Sequence, residues 1–342
     1  MYLELRVFPR FAMTEKELSK PIILTVMNWL LWVLLLVVQA NSVLAQDIVE
    51  LNDHNSHLSL GLYAESFEDR SRELSLEDVL DTDSKKAWVP STVEALNFGF
   101  TSSAYWLRIP IVNRSNEHSE WLFELAKSNI DELDVFVIPE MHGQTVRSHY
   151  QLGNIYPFEH RVVSDPNFIV PLLLEPNQPT WVYMRVVNRF TMKLPMTVLT
   201  QEALKQKRQI EFLVQGSYFG LMAIMALYNL FIYFSLRDKS YLYYTWFVAS
   251  FAAWFFIEKG YAFQYVWPNS VAFNGQMSVT CIAIAATLSI VFANEFLRLK
   301  KTNTIMHRLV KLLIYVWLGV IVSTLFLSIQ AVMKLIILIA LP

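Results

Sequence analysis

The chain has 342 residues, enough for two or three ordinary domains, and 54% of them are hydrophobic, high for a water-soluble protein of this size. A net charge of −2 leaves no electrostatic footprint for a nucleic-acid partner. The one cysteine, Cys281, sits inside an apolar run, which excludes an intrachain disulfide and a cysteine-built metal site.

The apolar residues concentrate in Pro21–Val38 and again from Phe212 onward, with a long mixed segment between, the profile of a membrane protein with one sizeable water-exposed domain. The N-terminus reads as a secretory signal. Arg6, Arg10, Lys16 and Lys20 form a basic stretch, Ile22 to Val38 an apolar core, and Val43-Leu44-Ala45 a small-residue cleavage site. Cleavage is expected after Ala45, with an uncleaved anchor helix as the alternative and Met13 as a second candidate start. Both versions export the segment that follows.

Residues 46–205 read as an all-β domain. In Tyr105–Val112 the residues alternate: Tyr105, Leu107, Ile109 and Ile111 form one face, Trp106, Arg108 and Val112 the other. Further strands are predicted at Trp121–Ala126, Leu133–Ile138, Phe168–Leu174, Trp181–Val187 and Leu194–Leu199, separated by polar clusters such as NRSNEHS and LEPNQPT. Leu74–Thr82 is expected to form a short helix or turn. Short strands at fairly even spacing favour a sandwich or jelly roll.

Trp106 and Arg108 share the second face, and two readings of them stand side by side. An indole offers a flat apolar surface and a guanidinium a planar fork for hydroxyls or carboxylates, so together they could grip a sugar ring. Neighbouring Trp and Arg on a strand also stack as a cation–π pair that simply covers the sheet. Elsewhere in the domain, His54 and His57 are three apart, but no third ligand accompanies them and a solvated linker is the simpler reading. Neither a Ser/His/Asp arrangement nor a pair of strand-supported carboxylates occurs, and only 9 glycines are present, none in a phosphate-cradling loop. Neither an enzyme, nor a cofactor, nor a metal is expected.

The second half reads as a helical membrane module, 206–342. Spans are predicted at Phe212–Leu236, Tyr241–Ile257, Met277–Leu297 and Leu309–Ile329, with a fifth beginning near Ala331. Seven basic residues (Arg237, Lys239, Arg298, Lys300, Lys301, Arg308 and Lys311) lie in the loops between spans one and two and between three and four. Only Lys259 and Lys334 lie on the other side, so the first set is cytoplasmic and the β domain outside. The KQKRQ run, Lys205–Gln209, disagrees by placing three basic residues just outside span one. Polar residues within spans are functional candidates by default, and Asn229 in span one is the foremost, with a hydrogen bond to a neighbouring helix the expected role.

LNFGFTSSAYWLRIPIVN, Leu96–Asn113, with LSLEDV and WVP before it, resembles the type 2 extracellular domain of bacterial seven-transmembrane receptors with diverse intracellular signalling modules, the 7TMR-DISM family. The matching residues are Asn97, Gly99, Thr101, Ser103, Tyr105, Trp106, Leu107, Arg108 and Asn113. GSYFGLMAIMALYNLFIYFSLRDKSYLYY, Gly216–Tyr244, and FANEFLRLK, Phe292–Lys300, resemble that family's membrane module, in the family's own order. The resemblance implies a jelly-roll-like sandwich that binds carbohydrate or a related small ligand, with Trp106, Arg108 and Asn97 as candidate ligand residues. It also implies seven spans and a cytoplasmic output module. Four spans and part of a fifth are legible here, so a truncated or fragmentary module is expected.

The leading expectation is a sensor of the bacterial inner membrane with its sandwich in the periplasm. Its expected partners are the lipid bilayer and a small-molecule or carbohydrate ligand, with a homodimer left open. A membrane-anchored carbohydrate-binding or adhesion module is the alternative. A transporter would need repeated, glycine- or proline-broken spans, which are not evident.

Overall fold

The computed structural model describes residues 48–81, 88–115, 118–140 and 146–340. The expected signal segment, 1–45, lies outside the described residues. Among the described residues, twelve strands make two sheets packed face to face, followed by helices.

The strands are β1 (Val49–Leu51), β2 (His57–Ser59), β3 (Glu65–Asp69), β4 (Val89–Pro90), β5 (Ala95–Phe100) and β6 (Ala104–Asn113). They continue with β7 (Glu120–Leu125), β8 (Glu132–Pro139), β9 (Ser148–Leu152), β10 (Phe168–Leu173), β11 (Pro179–Val187) and β12 (Thr191–Leu199). The first sheet runs β4-β3-β6-β11-β8-β9, and β1 joins β6 in parallel; all its other pairings are antiparallel. The second runs β10-β7-β12-β2, with β5 also on β12. Ten-residue β6 is long enough for β3 to pair with its first half and β1 with its last three residues.

The alternation read in β6 sets the core. Leu107, Ile109 and Ile111 are fully buried and pack in one cluster with Phe123 and Leu125 of β7 and Met192, Leu194, Met196 and Val198 of β12. Each predicted strand is present to within a few residues at either end. The predicted turn of helix is α1 (Leu76–Leu80), closed at its start by a reciprocal pair: Ser75 Oγ accepts from the Asp78 amide, and Asp78 accepts from the Ser75 amide at 2.8 Å.

The helical half comprises α2 (Gln201–Leu236), α3 (Lys239–Glu258), α4 (Tyr261–Tyr265), α5 (Val271–Phe296), α6 (Leu299–Thr302), α7 (Thr304–Ser323) and α8 (Ile329–Ala340). Helices α2, α5 and α7 are long and apolar enough to cross a membrane. Helix α3, where the sequence also predicts a span, has 20 residues but dilutes its apolar content with tyrosine, serine and threonine. It nonetheless runs back from the far end of α2 to the sandwich: Tyr244 meets Phe292 of α5 at 5.4 Å, Phe255 meets Tyr218 of α2 at 4.8 Å, and the Glu258 carbonyl accepts from Ser128 Oγ. Helix α7, where the fourth span is predicted, starts before Leu309 because the Asn303 side chain caps it, accepting from the Met306 amide.

No linker separates the halves. Strand β12 ends at Leu199, Thr200 caps the next helix through its side chain, and α2 begins at Gln201. With 36 residues, α2 is about 54 Å long, well beyond the ~20 residues a span needs. Its first turns therefore stand clear of the bilayer against the sandwich.

Candidate functional site

The β-register assembles the outward face of the first sheet residue by residue. Glu65, Arg108, Tyr183, Phe136 and His149 fall opposite one another across β3, β6, β11, β8 and β9. Phe67, Trp106, Arg185, Asp134 and Gln151 form the next row.

Half of this face is closed by the chain itself. Leu76 and Val79 of α1, together with Trp88, lie over Trp106, which is only 1% exposed. Trp106 stacks on Phe136 at 6.0 Å, and its indole Nε1 is buried with no hydrogen-bond partner. Arg108 lies over Trp88 at 4.4 Å and Trp181 at 5.4 Å, and its Nε donates to Glu65 at 2.5 Å. Burial pushes the Tyr183 hydroxyl above its usual range, and the neighbouring Arg108 offsets part of that rise. Both cation and ring are thus committed within the fold, and Trp106 covers the sheet rather than a ligand.

The other half is open. Phe136 and Trp181 are half-buried, His149 stacks on Phe136 at 4.2 Å, and the His149 ring meets Asp134 at 3.0 Å. Arg185 reaches Glu132 at 3.2 Å and the Arg72 carbonyl at 2.9 Å. Aromatic faces beside side chains rich in donors and acceptors suit a polyhydroxylated ring. Asn97 is elsewhere: it lies exposed on β5, in the second sheet, and its side-chain Oδ1 accepts from the Gly99 amide at 3.1 Å. That bond holds Gly99 at φ +64°, a left-handed turn, so Asn97 shapes the strand end. His54 lies in a turn and His57 in β2, so the pair shares no helix face.

Where the sandwich meets the helices, a second constellation forms that the sequence reading did not single out. Glu124, 1% exposed, accepts from Asn167 at 2.9 Å, Thr197 at 3.2 Å and Lys207 of α2 at 2.6 Å. Arg208 donates to Asp165 at 2.7 Å, and Lys205 meets Glu202 at 3.0 Å. The three cations of the KQKRQ run are therefore matched by carboxylates, two of them from the sandwich, which removes their conflict with the charge rule for orientation.

Behind this seam, Arg161 binds the loop Asn154–Asn167 together. It donates to the carbonyls of Asp165 at 2.9 Å, Pro166 and Ser128 at 3.3 Å, and to Asn154 Oδ1 at 2.9 Å. The rings of Phe158 and Phe168 lie 4.9 and 4.1 Å from it. Burial pushes the guanidinium down to about 9, still charged at neutral pH. The loop then touches the helices: the Phe158 amide donates to Pro268 at 2.9 Å and its ring meets Phe263 of α4 edge-on at 5.9 Å. Gly260 is required at the outer turn. It adopts φ +80°, and a Cβ there would come within 2.8 Å of Ser128 Cβ. Phe190, after β11, packs with Val279, Ala283, Trp317, Val320 and Val332 of the bundle.

At the far end of the bundle, Asn229 donates to the Met225 carbonyl of its own helix at 2.8 Å, not to a neighbouring helix. It lines a cavity of about 410 Å³ with Asp238, Tyr241, Tyr244, Phe292 and Arg298. Arg237 and Arg298 cap helices at this end, while Lys259 lies at the sandwich end, so the basic loops and the sandwich occupy opposite ends of the helices.

Comparison with known families matches both halves. Residues 61–200 match the family model described as 7TMR-DISM extracellular 2, and residues 211–342 match that described as 7TM diverse intracellular signalling. A search of curated proteins finds no match.

Proposed function

Since the chain belongs to the 7TMR-DISM family, as a receptor-like multi-pass membrane protein with an extracellular sandwich, we propose that it is a bacterial inner-membrane sensor whose periplasmic sandwich binds a carbohydrate or a related polyhydroxylated ligand. The ligand lies on the open half of the first sheet, against Trp181, Phe136 and His149, with Asp134 and Arg185 supplying hydrogen bonds. The observation that carries the signalling part is the seam. A flexible tether would let the sandwich move independently of the membrane helices, whereas β12 runs into α2 without a linker and Glu124 and Asp165 are ion-paired to that helix. A displacement of the sandwich is then a displacement of α2 and of the Glu258–Pro268 turn. For a ligand to signal it must bind one arrangement of this seam better than another, since equal affinity shifts nothing.

The test uses the full chain in nanodiscs, with and without mono- and oligosaccharides. A saccharide that raises the melting temperature, loses that effect in His149→Ala, and alters hydrogen exchange in residues 258–268 is the expected result. Binding that leaves 258–268 unchanged would favour the anchored adhesion module instead. If no saccharide binds, the carbohydrate assignment fails.

A further inference from the structure

A cavity of about 140 Å³ lies in the seam between the sandwich and the first turns of α2, several times the ~10–15 Å³ that holds one water. Its lining mixes signs: Arg208 and Lys259 against Asp165 and Glu211. Asp165 is already committed, to Arg208 Nε and to the Asn167 amide at 2.8 Å. Glu211 keeps only a long contact with Lys207, at 3.9 Å, and the other groups have bonding capacity left. Arg208 Nη2 and Gln215 Oε1 are both buried with no hydrogen-bond partner, and Lys259 makes no ion pair among the described residues, its ammonium resting 5.3 Å from the Phe255 ring. A buried polar atom left unpaired keeps its desolvation cost with nothing to offset it, so a cavity lined by two of them calls for an occupant that satisfies both. Unmet donors on cations suit an anion; an unmet carbonyl oxygen beside a carboxylate suits an N–H cation.

The depth of the cavity narrows the chemistry. Gln215 lies in the first turn of the span predicted from Phe212, and beside it Phe212, Leu213 and Val214 are more than half exposed on the lipid-facing helix. Tyr261 of α4 lines the same cavity, with the Tyr265 ring 6.5 Å from it, and aromatic residues of this kind mark the membrane–water boundary. Burial keeps the Tyr261 hydroxyl above its usual range, a neutral donor at the cavity wall.

We propose that this cavity binds a zwitterion carrying a phosphate and a primary ammonium, the headgroup chemistry of phosphatidylethanolamine, with Arg208 and Lys259 on the phosphate and Glu211 and Gln215 on the ammonium. The site is separate from the sheet-face ligand. It spans Asp165 of the sandwich, α2 and the outer turn, so its occupant sets how firmly the seam holds.

The full chain, purified in detergent from phosphatidylcholine, phosphatidylethanolamine and phosphatidylglycerol mixtures, is weighed intact by native mass spectrometry. Retention of phosphatidylethanolamine about tenfold above the other two is expected, with loss of that preference in Gln215→Leu and weaker retention of all three lipids in Lys259→Gln, since Lys259 meets the phosphate they share. If Gln215→Leu does not fold, Lys259→Gln carries the test, because it breaks no ion pair. Adding O-phosphoethanolamine separates the sources. If it displaces the retained lipid, the free headgroup suffices; if it does not, the site takes the headgroup only as part of a lipid. Equal retention of all three lipids by the wild type, or lipid retention unchanged in both variants, overturns the assignment.

Discussion

Two arginines of the sandwich are each held between aromatic rings, and they are used differently. Arg108 lies over Trp88 and Trp181 and ends on a carboxylate, Glu65, within the same sheet. Arg161 lies over Phe158 and Phe168 and ends on three backbone carbonyls and an amide oxygen. A guanidinium paired with a carboxylate closes a surface; one that donates to carbonyls from separate loops fixes where those loops lie. The first arrangement finishes the outer layer around Trp106. The second holds Ser128, Asn154 and Pro166 in the shape that docks on Pro268 and Gly260. Local stability and coupling to the membrane therefore reside in different places, and substitutions should separate them.

The largest effect is expected from Trp106→Ala. Removing a fully buried indole from under α1 should cost roughly 3–5 kcal/mol. In the full chain this lowers the melting temperature of the sandwich. Below that temperature, hydrogen exchange in residues 258–268 should stay as in the wild type. A change there would mean that the sheet face also supports the docking.

Arg161→Met should cost less, about 2–3 kcal/mol for hydrogen bonds from a charged donor that are lost together. Its signature differs: residues 258–268 should exchange faster at temperatures where the sandwich remains folded. Gly260→Ala follows at about 1–2 kcal/mol, because the left-handed backbone disfavours a side chain and the new Cβ meets Ser128. Here too the sandwich should melt nearly as before while the outer turn loosens.

The asymmetry between the two regions also explains what could be read in advance. The β6 face was legible because its residues alternate, and β8, β11 and β12 alternate in burial the same way, while β7 and β10, buried at nearly every position, were legible as runs of apolar and aromatic residues. Strands β1, β2, β3, β4, β5 and β9 were missed, being short, polar or at sheet edges, where pairing is decided by a distant partner. Trp106 and Arg108 could be placed on one face, but α1 and Trp88, which cover it, could not, since that contact joins segments about twenty to thirty residues apart with no shared period. Asn97 joins them only through the motif shared with the family, and β5, which carries it, belongs to the other sheet. The seam was illegible for the same reason in stronger form. Lys207 and Arg208 read as misplaced charge until Glu124 and Asp165, each dozens of residues away, are found beside them. Arg161 gives no periodic signal at all.

The smallest effect concerns acid, and it sharpens the contrast further. The Ser75 amide and hydroxyl both hold the Asp78 carboxyl below its ordinary value of 3.8. A carboxyl whose value is lower in the folded state contributes stability that is complete above the unfolded value and is lost as pH falls through the folded one. The cap of α1 should therefore persist down to about pH 3.8 and fail below it. Leu76 and Val79 would then loosen from Trp88 and Trp106, and tryptophan emission should shift to the red. In Asp78→Asn the carboxyl is gone, so this part of the acid response should be absent. Glu68 responds in the same direction, held low chiefly by the Ser103 hydroxyl, so the comparison must be made against the variant and not against neutral pH alone. The seam gives the control. Its contacts, Lys207 on Glu124, Arg208 on Asp165 and Phe158 on Pro268, do not involve Asp78, so exchange at residues 258–268 should be the same in Asp78→Asn as in the wild type at each pH. If the two move together through that interval and Asp78→Asn suppresses both, then α1 is mechanically tied to the membrane end, and the separation drawn between the two arginine clusters is wrong.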